Sequence, residues 1–154
     1  MNVYLDKNKN TNLKIEENKF DGFFEKRKNF FTKSERIFFS LLSKENNDEN
    51  IILSKVRLED IVQVVKNAPF GKRNYIKSKH IDFVIVEKNS GEIILAIELD
   101  GKSHNSERQK KYDDIKNQIL NSVNIPLHRV RVGEKFEERI KEILNNIEKK
   151  EITN

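Results

Sequence analysis

Apolar residues recur along this chain in blocks whose period changes from one segment to the next. Residues 1 to about 18 are polar, rich in Asn and Lys and without period, which predicts a tail or loosely held arm. FDGFFEKRKNFF, from Phe20 to Phe31, then interleaves aromatics with bases. Such rings can stack on nucleotides, but phenylalanines more often anchor an arm on a core. The spacing of Thr32 and Glu35 is that of a capping box, and Ile37, Phe38, Leu41 and Leu42 follow at helical intervals, predicting a helix over 33–43. Ile51 to Leu58 reads as a strand, Glu59 to Lys66 as a short helix, and 67–78 as a basic loop holding Pro69 and Gly71.

Two β-branched stretches come next, His80 to Glu87 and Glu92 to Asp100, joined across Asn89-Ser90-Gly91 as a hairpin. A helix is expected over 106–123, with Tyr112, Ile115, Ile119 and Val123 as its apolar stripe. Pro126 opens a strand ending near Val132, and a last helix over 135–148 presents Phe136, Ile140, Ile143, Leu144 and Ile147. Clustered strands followed by alternating elements predict an α/β domain, a mixed central sheet flanked by helices. The division expected is a partly flexible arm over 1–30 and one domain over 31–150.

Composition narrows the classes. No apolar run approaches the roughly 20 residues of a membrane span, and MNVYLDKNKN lacks a signal-peptide layout. With no cysteine there is no disulfide framework or thiolate zinc site. The expectation is a cytoplasmic protein with no membrane partner. Thirty Lys and Arg against 25 Asp and Glu leave a net charge of +5, compatible with a polyanion. Lys72, Arg73 and Lys77 in the basic loop, with Lys102, are the candidate nucleic-acid contacts.

The stretch AIELDGKSH, Ala96 to His104, carries the chemistry. An apolar strand ends with Glu98 and Asp100 at alternate positions, hence on one face. If Asn89 to Gly91 form a three-residue loop, Lys88 pairs with Glu92 and Asp82 falls opposite Glu98, with Cβ atoms about 5 Å apart. Three acids then share one side of the hairpin. Unpaired burial of such charges costs several kcal/mol each (on the order of 3 or more). A hard divalent cation, Mg²⁺ or Mn²⁺, would offset that repulsion, since Mg²⁺ takes one or two carboxylates with waters and phosphate oxygens. Arg129 or Arg131 could instead pair with the same acids in a structural network. Lys116 lies at the border of the helical stripe, where snorkelling is the ordinary role of a lysine. His104 could shuttle protons, and Glu35 is by default the capping-box glutamate.

These residues resemble the PD-(D/E)XK nuclease superfamily: an acid in a strand (Asp82 in KHIDFVIV), a hairpin, and an acidic strand end (Glu98 in AIELD). FTKSERIFFSLL, SKVRLEDIV, AIELDGKSHNSERQKKYDDIKNQIL and NIPLHRVRV look, in that order, like an uncharacterised bacterial domain family within it, related to the very-short-patch-repair endonucleases. The resemblance implies a restriction-endonuclease-like core and a metal-dependent DNA endonuclease in repair or defence. Asp82 and Glu98 would be the metal acids, Glu35 the acid of the first core helix, and His104 a counterpart of the histidine near the repair-enzyme site. The chain departs from E-x-K, reading Glu98-Leu99-Asp100, so the lysine would come from Lys116 on the following helix. Asp100 would then be a further metal ligand or a hydrogen-bond partner. The alternative is a catalytically inactive nucleic-acid-binding module, or a subunit of a larger nuclease complex; homodimer and larger assembly are both compatible with the sequence.

Overall fold

The computed structural model describes residues 20–101 and 107–151. The chain divides into two units, Met1–Phe30 and Phe31–Asn154. In the first, the Phe23 N–H donates to the Phe20 carbonyl at 3.1 Å, and the Phe20 and Phe24 rings lie 6.0 Å apart. Phe20, Phe23, Phe24 and Phe30 are exposed.

The second unit is a mixed α/β domain. Its described elements run α1 (Lys33–Glu45), β1 (Asn50–Arg57), α2 (Leu58–Ile61), β2 (His80–Glu87), β3 (Ile93–Asp100), α3 (Glu107–Ser122), β4 (Leu127–Arg131) and α4 (Phe136–Glu151). The sheet has four strands in the order β1-β2-β3-β4. β1 with β2 and β2 with β3 are antiparallel, whereas β3 with β4 is parallel, as a crossover through α3 requires.

Strand alternation divides the core into two clusters. Phe83, Ile85, Leu95, Ile97 and Val130 meet Phe38 and Leu42 of α1 and Ile140, Ile143 and Ile147 of α4. Phe31 joins this side, its ring 5.2 Å from Phe39 and 6.1 Å from Phe83. Val84 and Ala96 face the other way, toward Leu58 of α2 and Leu120 of α3. The even-numbered face of β2 and β3 that carries Val84 and Ala96 also carries Asp82 and Glu98.

Local chemistry explains the ends. Thr32 caps α1: Glu35 N–H donates to its Oγ1 at 3.2 Å, while Thr32 N–H donates to Glu35 Oε2 at 2.7 Å. The helix expected over 59–66 is shorter, because Val62 is extended at φ −136° and ψ 146°. Val62, Val64 and Val65 are poor helix formers, and Pro69 follows. Residues 72–75 make a 3-10 turn within the basic loop, entered through Gly71 at φ +85°, a conformation glycine adopts without a Cβ clash.

The hairpin differs in detail from its expectation. Glu87 N–H donates to the Glu92 carbonyl, so the loop is one residue longer than Asn89 to Gly91 and Lys88 does not pair with Glu92. A register shift between Ile85 and Val86 absorbs the extra residue. Beyond it Ile85 pairs with Leu95, Val84 with Ala96 and Phe83 with Ile97. Continued by one position, that register sets Asp82 opposite Glu98.

α3 also turns differently from its apolar pattern. Leu120 is its fully buried residue and Ile119 packs beside it, while Tyr112 and Val123 are exposed. The inward face therefore includes Lys116, one turn before Leu120.

Candidate functional site

Charged side chains of alternating sign cross the sheet from α1 to β4. At one end Glu35 does more than cap its helix, since its Oε1 accepts from Lys55 Nζ at 2.7 Å. Burial tends to raise the Glu35 carboxyl, but the hydrogen bonds from Lys55 and Thr32 outweigh it and hold the group below its ordinary value. Lys55 stands on β1 at the position across from Asp82, between the pairs Ser54 with Phe83 and Val56 with Ile81. Its φ is +53°, the left-handed region, inside a strand. One consequence is visible in packing. Ile52 joins one core cluster and Val56 the other, although strict alternation would put both on one face.

Asp82 comes next, on β2. The β2–β3 pairs run as far as Phe83 with Ile97, and beyond them the Leu99 N–H donates to Asp82 Oδ2 at 2.9 Å. Burial pushes the Asp82 carboxyl up; the Leu99 hydrogen bond and the charges of Lys55 and Lys116 pull against it, and Glu35 adds to the rise. Glu98, only 6% exposed, is the one charged residue in the buried class among the described residues. Its carboxyl is also pushed up by burial, against the pull of Lys116 and Arg129 and with a further push from Asp82.

Lys116 reaches Glu98 from α3, its Nζ donating to Oε1. Arg129 of β4 approaches the other oxygen, Nη2 lying 3.1 Å from Glu98 Oε2, while its Nη1 donates to Asp100 Oδ1 at 2.9 Å. Asp113 completes the group, 3.9 Å from Lys116 Nζ and 3.5 Å from Arg129 Nη2. The network envisaged for Arg129 is therefore present, and Asp100 stands in it as a hydrogen-bond partner. Arg131, the other arginine considered, is exposed.

Of the residues singled out from sequence, Glu35, Asp82, Glu98, Asp100 and Lys116 belong to this constellation. Lys102 and His104 lie outside the described residues. Arg73 pairs with Glu59, Nε to Oε1 at 3.0 Å, and Lys77 is exposed. Lys72 lines a groove with Tyr75. Sequence reasoning missed Lys55 and Asp113. No local signal marked the first, and the i,i+3 spacing of Asp113 and Lys116 was the available one for the second.

Among the described residues no group of three or more His, Cys, Asp or Glu is arranged to hold a metal ion. The donor set that is present, Asp82 opposite Glu98, consists of hard oxygens short of hydration. It suits a half-hydrated Mg²⁺, which needs one or two carboxylates from the protein and takes its other ligands from water and phosphate. It does not suit a fully protein-ligated cation.

No helix among the described residues is long and apolar enough to cross a membrane. No curated protein and no solved structure matches the chain. A family model does, over residues 27–150, which takes in the whole domain from Phe31 through nearly all of α4. The chain belongs to that family, DUF2726, described as a protein of unknown function.

Proposed function

We propose that the chain is a metal-dependent endonuclease hydrolysing phosphodiester bonds in DNA, built on a restriction-endonuclease-like core of the PD-(D/E)XK kind. The observation that carries this reading is the proximity of Asp82 and Glu98 on adjacent strands, close enough for Asp82 to push Glu98 up, both raised by burial, with Lys116 donating to Glu98 from the next helix. Asp82 accepts from the Leu99 backbone N–H and feels the charges of Lys55 and Lys116, yet burial still leaves its carboxyl raised. The lysine missing from E-x-K has a substitute of the right charge at the second acid.

Asp82 and Glu98 are the residues that would hold Mg²⁺ or Mn²⁺. Bound there, the ion would supply Lewis acidity toward a phosphoryl oxygen and toward a water. Lys116, a compact ammonium on a nearly buried stem, would offset charge gathering on the phosphate. Glu35, kept ionised by Lys55, lies near enough to Asp82 to raise it and can accept a hydrogen bond from a water. Arg129 restrains Glu98 and Asp100 together.

Arg129 also favours a second reading. A guanidinium held by both Glu98 and Asp100 is what a binding module that kept the fold and lost turnover would show. Calorimetric titration of Mg²⁺ and Mn²⁺ into wild type and Glu98→Ala, with plasmid nicking alongside, separates the two. Uptake and nicking that both vanish in the variant are expected. Neither uptake nor nicking in wild type would leave the carboxylates as scaffold and support the binding module.

A further inference from the structure

Between the basic loop and the start of α3 lies a groove of about 740 Å³. Its lining includes Phe70, Lys72, Tyr75, Lys79, Lys111 and Tyr112, and no carboxylate is among the described residues that line it. Phe70 projects fully into water. Tyr75 and Tyr112 are part-exposed, and each carries a lysine ammonium over its ring, Lys72 at 5.3 Å and Lys79 at 5.1 Å from the centroids. Aromatic faces paired with cations form a surface that can stack bases and hold phosphates at once.

Both walls lead to the acids. Tyr112 stands one helical turn before Lys116 on α3, and Lys79 precedes Asp82 by three residues along the strand. A strand lying in the groove would pass its backbone from the lysines toward Asp82 and Glu98. The faces of Tyr75 and Tyr112 are accessible only to bases that are not paired and stacked in a duplex. A smooth duplex offers phosphates to Lys72, Lys79 and Lys111 but no base face to the rings.

We propose that this groove binds an unpaired stretch of polynucleotide, its bases stacking on Tyr75 and Tyr112 and its phosphates held by Lys72, Lys79 and Lys111. As a statement of substrate class it rests on the nuclease reading, whereas binding itself does not and is measured in EDTA, where no cleavage occurs. Retained binding with failed metal dependence would therefore sink the nuclease reading alone.

The chain has no tryptophan and three tyrosines, two of them in the groove, so intrinsic tyrosine fluorescence reports stacking directly. Titration with oligo(dT) of about 12 residues, a length within the range such surfaces cover, is expected to quench it. A duplex of the same length should bind more weakly and quench little, and oligo(U) tells which sugar is preferred. By anisotropy with labelled oligo(dT), Tyr112→Leu and Tyr75→Leu should each weaken binding by about 5- to 150-fold, the range of one base–aromatic stack. Lys79→Ala should weaken it and flatten its salt dependence. Equal affinity for duplex and single strand, with both tyrosine variants unchanged, would overturn the proposal. So would wild-type fluorescence that oligo(dT) does not quench, a readout that depends on no variant folding.

Discussion

Replacing Lys116 with methionine tests whether the ammonium on α3 is what makes a buried Glu98 tolerable. Methionine fills most of the volume of the lysine stem, so packing changes little and the loss is mainly that of the charge on Oε1. Breaking a buried ion pair by removing one partner costs about 3–5 kcal/mol. Here the lower edge applies, because Glu98 Oε2 keeps Arg129 at 3.1 Å. A loss of about 2–3 kcal/mol near neutral pH follows, or a fall in Tm of roughly 5–10 °C for a chain of this size.

The pH dependence gives the sharper signature. Burial already lifts the Glu98 carboxyl above its ordinary value, and removing Lys116 lifts it further. A raised acid binds its proton more tightly in the folded state, so its contribution to stability declines as pH rises through the shifted range. The penalty of Lys116→Met should be complete near neutral pH and shrink as the medium is acidified and Glu98 takes up its proton. Urea unfolding at about pH 7 and about pH 5 measures both. Adding Glu98→Gln to the variant should recover part of the loss, with a coupling of at least about 1 kcal/mol. A loss equal at both pH values, or below about 0.5 kcal/mol, would refute this account of Lys116.

Other expectations follow from individual residues. Lys55→Gly and Lys55→Ala both delete the Glu35 ion pair, so their difference isolates the backbone at φ +53°. Glycine should be the more stable by about 1 kcal/mol, the reverse of the usual strand preference, and denaturant unfolding showing alanine ahead would contradict the strain. Glu87 receives hydrogen bonds in the hairpin loop from Ser90 and Asn89, which pull its carboxyl down to about 2. Its contribution to stability is present above the ordinary carboxylate range and is lost as pH falls toward that value. An NMR titration should place the midpoint there, and a midpoint near an ordinary glutamate would show that the loop does not hold it. Asp82→Asn keeps an acceptor for the Leu99 N–H and removes a charge that burial disfavours. It should melt above wild type at neutral pH and lose that advantage in acid; a lower melting temperature at neutral pH would count against a desolvated aspartate.

The site was legible in sequence wherever alternation fixed a face. His80 to Glu87 came out with the observed limits, and the closeness of Asp82 to Glu98 was expected from counting across a hairpin. That count began from a loop one residue too short, and the bulge at Ile85 and Val86 restored the register. The bulge left no mark, because Ile85, Val86, Ile93 and Ile94 are apolar in either register. Lys55 went unread because nothing local announces a left-handed lysine between serine and valine; its partners, Glu35 and Asp82, come from distant elements. On α3 the apolar count favoured Tyr112 and Val123, whereas the helix turns Lys116 inward to meet an acid that only the sheet brings there. Such charge pairing depends on tertiary contact, which no period in the sequence encodes.

The most direct test is nicking of a supercoiled plasmid by the purified chain in Mg²⁺ and in EDTA, run beside folded Asp82→Asn. The account predicts nicking by wild type that EDTA abolishes and that Asp82→Asn lacks. Nicking that survives in folded Asp82→Asn, or that is indifferent to EDTA, would contradict it.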